Sequence, residues 1–155
     1  MTFRAAVKAT PDIAPHYRAG LQALREAHRQ MIRTSRPRSL DGSFDLDEAL
    51  SSIKPNDARW DYGVGLKRRA QDGRAIWIEV HPASSFHVDP VLAKLSWLQN
   101  WLANEAPALN GIPARYVWLA TGAVALPLNS PKRRIIAARG LDFRARILDL
   151  DEFVD

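Results

Sequence analysis

The sequence predicts an α/β (α+β) fold, in which a mixed β-sheet is flanked by helices in the order α-α-β-β-α-β-α-β. Three observations lead to this prediction. Apolar residues recur at intervals of three and four in several segments, as on the buried face of a helix. Elsewhere they alternate with polar residues or form short apolar runs, as in strands. In addition, 155 residues is the size of one domain, which we place at residues 1–155.

The first half of the chain is predicted to begin with two helices. Residues 11–33 carry apolar side chains at helical spacing and follow Thr10, which is suited to cap a helix N-terminus. A shorter helix is predicted at residues 45–50, with Ser43 or Asp45 as its N-cap. The turn-forming residues that come next end this helix.

A β-hairpin is predicted to follow. Residues 59–67 and 75–81 both alternate between bulky apolar and small or polar side chains, which is typical of half-buried strands. The intervening Gln71-Asp72-Gly73 suits a three-residue loop with glycine in the left-handed position. With this loop the numbers of facing residues add to 144, so Gly65 would face Glu79.

Four elements are predicted in the second half: a helix at residues 90–105, a strand at 116–125, a basic helix at 130–140 and a strand at 144–150. Asp89 and Pro90 favour a helix start, because Asp caps the N-terminus and Pro is tolerated in the first turn. Gly140 favours the end of the basic helix. Together these elements complete a sheet with helices packed against it.

Composition excludes several classes of function. The chain has no cysteine, so disulfides, thiolate zinc sites and cysteine nucleophiles are excluded. No phosphate-binding loop, dinucleotide fingerprint, serine elbow or zinc-deaminase signature is present in the sequence. We also find neither a membrane-spanning stretch nor a secretory signal, and therefore expect a cytoplasmic location. The formal charge of +5, carried mainly by arginine, favours partners that bear phosphate.

The hairpin contains the candidate catalytic residues. Asp61 and Glu79 have the same strand parity, so both side chains should lie on one face of the sheet, with Asp61 diagonal to His81. Gly63 and Gly65 would leave room for a bulky anion beside them. Two carboxylates in such a place suit Mg²⁺ or Mn²⁺, which assist phosphodiester hydrolysis.

This arrangement resembles the core of the PD-(D/E)xK nucleases. That core has a helix, a hairpin bearing Asp and then (Asp/Glu)-x-Lys, a crossing helix and a further strand. Asp61 and the run Glu79-Val80-His81 match the hairpin positions, and the predicted helix and strand follow in the same order. The resemblance implies a restriction-endonuclease-like fold with Asp61 and Glu79 as metal ligands.

The sequence departs from the family pattern at two positions. Asp61 has no preceding proline, and His81 stands where the family has a lysine that positions or activates the attacking water. Some members place the lysine on the next helix, which makes Lys94 a candidate beside His81. The resemblance also suggests that an acid from the first helix completes the site, and Glu26 is the acid in that position.

Each candidate residue also has a structural interpretation. Asp61 would anchor the turn at residues 56–57, His81 would end its strand, and Lys94 would be a solvated helix residue. Glu79 needs no special role on a solvated face. A transition-metal site formed by His81 and His87 with Glu79 or Asp89 is a further alternative.

Two basic clusters are predicted to bind nucleic acid. They comprise Lys67, Arg68 and Arg69 at the far end of the hairpin, and Lys132, Arg133 and Arg134 at the start of the basic helix. Each is also typical of a solvated surface. The expected partners are DNA or RNA, with no membrane, and a homodimer is an open alternative.

The function expected from these observations is metal-dependent hydrolysis of nucleic acid. A catalytically inactive nucleic-acid- or protein-binding module on the same fold is the alternative, favoured by His81 in the lysine position. A third interpretation is an interaction module, such as an immunity or antitoxin protein, whose basic surface meets an acidic protein.

Overall fold

The computed structural model describes residues 1–68 and 72–154. In this part of the chain the α-helices are α1 (Phe3–Lys8), α2 (Glu26–Arg29), α3 (Leu46–Leu50), α4 (Ser85–Glu105), α5 (Pro107–Asn110) and α6 (Pro131–Ala138). The strands are β1 (Ile32–Arg33), β2 (Leu40–Asp45), β3 (Tyr62–Lys67), β4 (Gly73–Ser84), β5 (Ala114–Ala125), β6 (Leu141–Ala145) and β7 (Leu148–Asp149). Short 3-10 helices occupy Ala14–His16, Pro37–Ser39 and Leu150–Phe153.

A five-stranded mixed sheet organises the fold. Its strand order is β2-β3-β4-β5-β6, and a separate parallel pair joins β1 to β7. The first three strands form an antiparallel meander, whereas β4, β5 and β6 run parallel. Helices α4 and α6 are the crossovers that parallel neighbours require. The predicted mixed sheet flanked by helices is therefore confirmed.

The two faces of the sheet are covered by different parts of the chain. On one face, called the α4 face below, Trp77 and Trp118 pack with the apolar stripe of α4. On the opposite face, Val64 and Ile78 pack with residues of the N-terminal turns and the C-terminal segment. Both faces are buried, and strand residues alternate between them.

The predicted helix at residues 11–33 is wrong. This segment forms a 3-10 helix, turns, the one-turn helix α2 and strand β1. Pro15 lacks the backbone donor that a continuous helix needs, and Gly20 adopts φ +53°, a left-handed conformation. The apolar residues of this segment pack on both faces of the sheet: Ile13 and Tyr17 join the core of the α4 face, whereas Leu24 and Ile32 pack on the opposite face.

Boundaries differ at other elements. The helix at 45–50 is confirmed as α3, with Asp45 accepting a hydrogen bond from the Glu48 backbone as its N-cap. Helix α4 begins at Ser85 rather than at Pro90, because Ser84 supplies the N-cap. The single strand predicted at 144–150 is divided between two strands, since β6 ends at Ala145 and β7 begins only at Leu148.

The predicted hairpin register is wrong by four residues. Tyr62 faces Ile78 and Gly65 faces Ala75, so the numbers of facing residues add to 140. Gly73, predicted as a loop residue, is the first residue of β4, and Gln71 of the predicted loop lies outside the described residues. An even shift leaves every side chain on its predicted face.

The space predicted beside Gly63 and Gly65 is occupied. A Cβ atom at Gly65 would lie 2.3 Å from Cδ1 of Phe3, and one at Gly63 would lie 2.7 Å from Phe44 and Trp77. Both glycines therefore admit aromatic side chains into the core of the α4 face. The expectation that a bulky anion approaches the sheet here is wrong.

None of the helices in residues 1–68 and 72–154 combines the length and apolar character that crossing a membrane requires.

Candidate active site

Asp61 and Glu79 contact each other at the end of the hairpin. Asp61 directly precedes β3, and Glu79 lies within β4, opposite Asp61 on the observed register. The backbone N–H of Asp61 donates to Oε1 of Glu79 at 3.2 Å, and the N–H of Val80 donates to Oδ2 of Asp61 at 2.9 Å. The corrected register thus brings the acids closer than the predicted one.

Glu79 is a fully buried acid that contacts one lysine and one histidine. Its side chain has no exposed surface, yet Oε2 lies 2.7 Å from Nζ of Lys94 and 3.3 Å from Nδ1 of His81. A buried charge is tolerated when it is paired and hydrogen-bonded. The interpretation of Glu79 as a residue on a solvated sheet face is wrong.

Lys94 reaches this acid from the crossover helix α4. Burial lowers the pKa of Lys94, but the attraction of Glu79, Asp61 and Asp47 outweighs it, so the net effect is a raised pKa. The ammonium group is therefore a fixed cation at neutral pH. About a quarter of its side chain is exposed, so one side of the pair meets solvent.

Burial raises the pKa of Asp61 to about 7, and the nearby Glu79 carboxylate adds to the rise. Lys94 and the hydrogen bond from Val80 partly oppose this effect. Asp61 therefore changes protonation state near neutral pH. Its carboxyl bonds to the neighbouring strand, rather than to the turn at residues 56–57 that was an alternative.

His81 is held in place at the border of the site. Its carbonyl accepts a hydrogen bond from Nε1 of Trp118 at 3.0 Å, and its ring packs against that of His87. Because an ionised carboxylate only accepts, the contact with Glu79 assigns the His81 proton to Nδ1. The second nitrogen, Nε2, is then an acceptor in the neutral ring.

The acid expected from the first helix is misplaced. Glu26 is exposed in α2, and residues Leu24 and Ile32 on either side of that helix pack on the opposite face of the sheet from Glu79. The additional acid near the pair is Asp47, which contributes to the pKa shifts of Asp61 and Lys94.

Asp47 was not predicted as a site residue. It follows the cap of α3, which places it beside Asp61 only because β2 pairs with β3. The sequence pattern does not predict β2, so it does not predict this proximity either.

The donor set fits a hard divalent cation. In the described part of the chain, Oδ1 of Asp61 accepts no hydrogen bond and Oε1 of Glu79 accepts one, so both have free lone pairs. Mg²⁺ is commonly held by one or two carboxylates, with water and phosphate oxygens completing its shell. Residues 1–68 and 72–154 contain no group of three or more His, Cys, Asp or Glu arranged to hold a metal.

The alternative transition-metal site gains no support. Nδ1 of His87 lies 2.7 Å from Oγ of Ser84, the cap of α4. Asp89 instead pairs with Lys132 on α6 at 3.4 Å.

The predicted basic clusters lie on different elements. Lys67 is exposed and Arg68 partly buried at the end of β3, roughly 20 Å from Asp61 at about 3.3 Å per residue. Arg69 lies outside the described residues. Lys132, Arg133 and Arg134 begin α6, which Ser130 caps.

Comparisons of the chain with family models, curated proteins and solved structures give no match.

Proposed function

We propose that this protein hydrolyses phosphodiester bonds of nucleic acid with Mg²⁺ or Mn²⁺ held by Asp61 and Glu79. The observation that carries the proposal is the contact of the two acids from neighbouring strands, with the ammonium group of Lys94 2.7 Å from Glu79. A buried acid pair with a fixed cation and a perturbed pKa is typical of a catalytic site.

The topology supports the resemblance to PD-(D/E)xK nucleases. Asp61 directly precedes β3, Glu79 lies on the antiparallel neighbour β4, and α4 then crosses to β5, which runs parallel to β4. From the hairpin onward this order matches that of the family core, whereas the helix that precedes the hairpin in the family has no continuous counterpart at residues 11–33. Lys94 on that crossing helix supplies the cation that His81 does not provide.

Each residue has a distinct chemical role in the proposed reaction. A bound divalent ion would lower the pKa of a coordinated water and neutralise charge on the phosphate. Lys94 orients the attacking water and stabilises the negative charge of the transition state. Nε2 of His81 can accept the proton that this water loses as its oxygen bonds to phosphorus. The phosphorus–oxygen bond to the leaving group then breaks, and the leaving oxygen is protonated by solvent.

Cleavage of labelled DNA and RNA with Mg²⁺ or Mn²⁺ tests the proposal. Glu79→Gln and Asp61→Asn should each reduce the cleavage rate by at least about 100-fold, because each removes a charge that holds the metal. Asp12→Asn, at an exposed acid outside the site, is the matched control and should cleave like the wild type. Cleavage that survives in the Glu79 and Asp61 variants would overturn the proposal.

The second candidate is a binding module that has lost catalysis. The observation that favours it is that both oxygens of the buried Glu79 already accept hydrogen bonds. Titration with Mn²⁺ separates the candidates, since an ion that binds only the folded protein raises Tm. The nuclease requires a rise that disappears in Glu79→Gln, whereas the binding module predicts no rise.

A further inference from the structure

The positive charge of the chain is concentrated in one segment. Residues 131–146, from α6 through β6, contain six cations and one acid, so the remainder of the chain contains sixteen of each. The cations are Lys132, Arg133, Arg134, Arg139, Arg144 and Arg146. The net charge of +5 therefore belongs entirely to this segment, which we call the α6–β6 segment.

A cleft lies between the α6–β6 segment and Arg115 of β5, at the edge of the sheet. It encloses about 440 Å³ and is lined by Arg115, Arg133, Asp142, Phe143 and Arg144, among others. Strand β6 is the last strand in the sheet order, so the cleft opens beside an edge strand rather than within the core. Its lining combines fixed cations with an aromatic ring.

Arg133 is the cationic residue of this cleft whose guanidinium group forms no ion pair with a carboxylate of the described residues. Its guanidinium lies 4.2 Å from the centre of the Phe143 ring, and NH1 donates to the carbonyl of Leu126 at 3.1 Å. In the described part of the chain it contacts no carboxylate, whereas Arg115 pairs with Asp142. The stack and single hydrogen bond orient the group and leave further N–H donors for an anion.

The cleft is aligned with the acid pair. Glu79, Trp118 and Phe143 face one another in register across β4, β5 and β6. Two strand spacings separate the backbone of Glu79 from that of Phe143 by about 10 Å, which is about three nucleotides of a stacked strand. Trp118 is buried between the two residues, so a nucleic-acid strand on the surface follows a longer path, and the two places lie at least about three nucleotides apart on one strand.

We infer that the α6–β6 cleft binds the sugar–phosphate backbone of the nucleic acid, with Arg133 contacting a phosphate at least about three nucleotides from the one at the acid pair. The position of the reacting phosphate rests on the proposed function. Exposed Arg134 and Arg139 extend the contact along the backbone, because neither contacts a carboxylate among the described residues.

Binding of a fluorescein-labelled single-stranded DNA of about 20 nucleotides, measured by anisotropy in EDTA over about 50 to 200 mM NaCl, tests the inference. Arg133→Ala/Arg134→Ala should raise Kd at least about 10-fold and reduce the salt slope by about two. The control, Arg36→Ala/Arg38→Ala, removes equal charge from exposed positions at a short 3-10 helix and should change Kd by less than about 3-fold.

A second variant distinguishes a loss of DNA binding from a loss of folding. Arg134→Ala/Arg139→Ala alters exposed side chains only and should weaken binding in the same direction, with an unchanged melting curve. Equal losses in the cluster and control variants, or no binding by the wild type, would overturn the inference. Displacement of the DNA by polyglutamate at equal charge concentration would also overturn it, because the cleft would then recognise an acidic protein.

The outcomes separate this inference from the proposed hydrolysis. Binding that depends on Arg133 without cleavage by the wild type would leave the cleft established and refute the hydrolase. Cleavage that depends on Glu79, with DNA affinity unaffected by the cluster variants, would support the hydrolase and refute the cleft as the binding site.

Discussion

Nζ of Lys94 lies 2.7 Å from Oε2 of Glu79, although the two residues are fifteen positions apart in the sequence and the side chain of Glu79 has no exposed surface. Helix α4 therefore positions Lys94 as the counter-ion of the buried Glu79. Lys94 therefore contributes both to the stability of the fold, because it neutralises Glu79, and to the proposed chemistry, because it faces the site.

Removing Lys94 should destabilise the protein. Lys94→Met leaves Glu79 buried without its cation, and we expect a loss of about 2 kcal/mol, moderated by the partial exposure of Lys94. The double variant Glu79→Gln/Lys94→Met should recover part of this loss, because no unpaired charge remains. Urea unfolding of the wild type, both single variants and the double variant measures the coupling, and strictly additive effects would contradict the pairing.

The relative roles of Lys94 and His81 can be distinguished by activity. If Lys94 stabilises the transition state, Lys94→Met should lower the cleavage rate by about 100-fold, whereas Lys94→Arg keeps the charge and loses less. His81→Asn should lower the rate by less than about 10-fold if solvent replaces it as the proton acceptor. A larger loss of cleavage rate in His81→Asn than in Lys94→Met would show that His81, rather than Lys94, makes the larger contribution to catalysis.

The stability of the wild type should depend on pH through Asp61. Burial and Glu79 raise the pKa of Asp61 to about 7 in the folded protein, whereas an unfolded Asp titrates near about 3.9. The stabilising contribution of protonated Asp61 is full below the unfolded pKa and is lost as pH rises through the folded pKa.

Asp61→Asn provides the reference for this effect. Relative to that variant, the wild type should lose about 2 kcal/mol of unfolding free energy between pH 5 and pH 8. Urea unfolding without divalent ions measures the difference. A stability difference that stays constant between these pH values would show that Asp61 titrates elsewhere.

Gly65 is expected to tolerate no side chain. A methyl group there would meet Cδ1 of Phe3 at 2.3 Å and force α1 away from the sheet, so Gly65→Ala should cost about 2 kcal/mol or more. The control is Gly111→Ala, where the nearest atoms lie at 3.6 Å and beyond. We expect the control to stay within about 1 kcal/mol of the wild type in thermal unfolding. Similar losses at both positions would refute the steric explanation.

The parts of the fold that were predictable had strong local signals. Strand β5 has an uninterrupted apolar run, and α6 has a serine cap and a terminal glycine at φ +75°. The shared face of Asp61 and Glu79 followed from strand alternation alone, which an error in register by an even number preserves.

Other parts depended on tertiary contacts that the sequence pattern does not express. Strand β2 contains Gly42 at φ +92° and shifts register near it, so its β-strand preference is weak. Without β2, nothing in the sequence pattern places Asp47 near Asp61. The occupied space over Gly65 was likewise hidden, because Phe3 belongs to a helix too short to show a period.

The alternation of side chains along β4 has a consequence for how distant relatives would be recognised. Trp77 and Glu79 stand two residues apart on the same face of the sheet, whatever the length of the loop that precedes them. Evolution can therefore lengthen or shorten that loop freely, whereas one residue inserted between the tryptophan and the glutamate would turn the acid away from its lysine. A relative should keep this two-residue step while the count from aspartate to glutamate drifts.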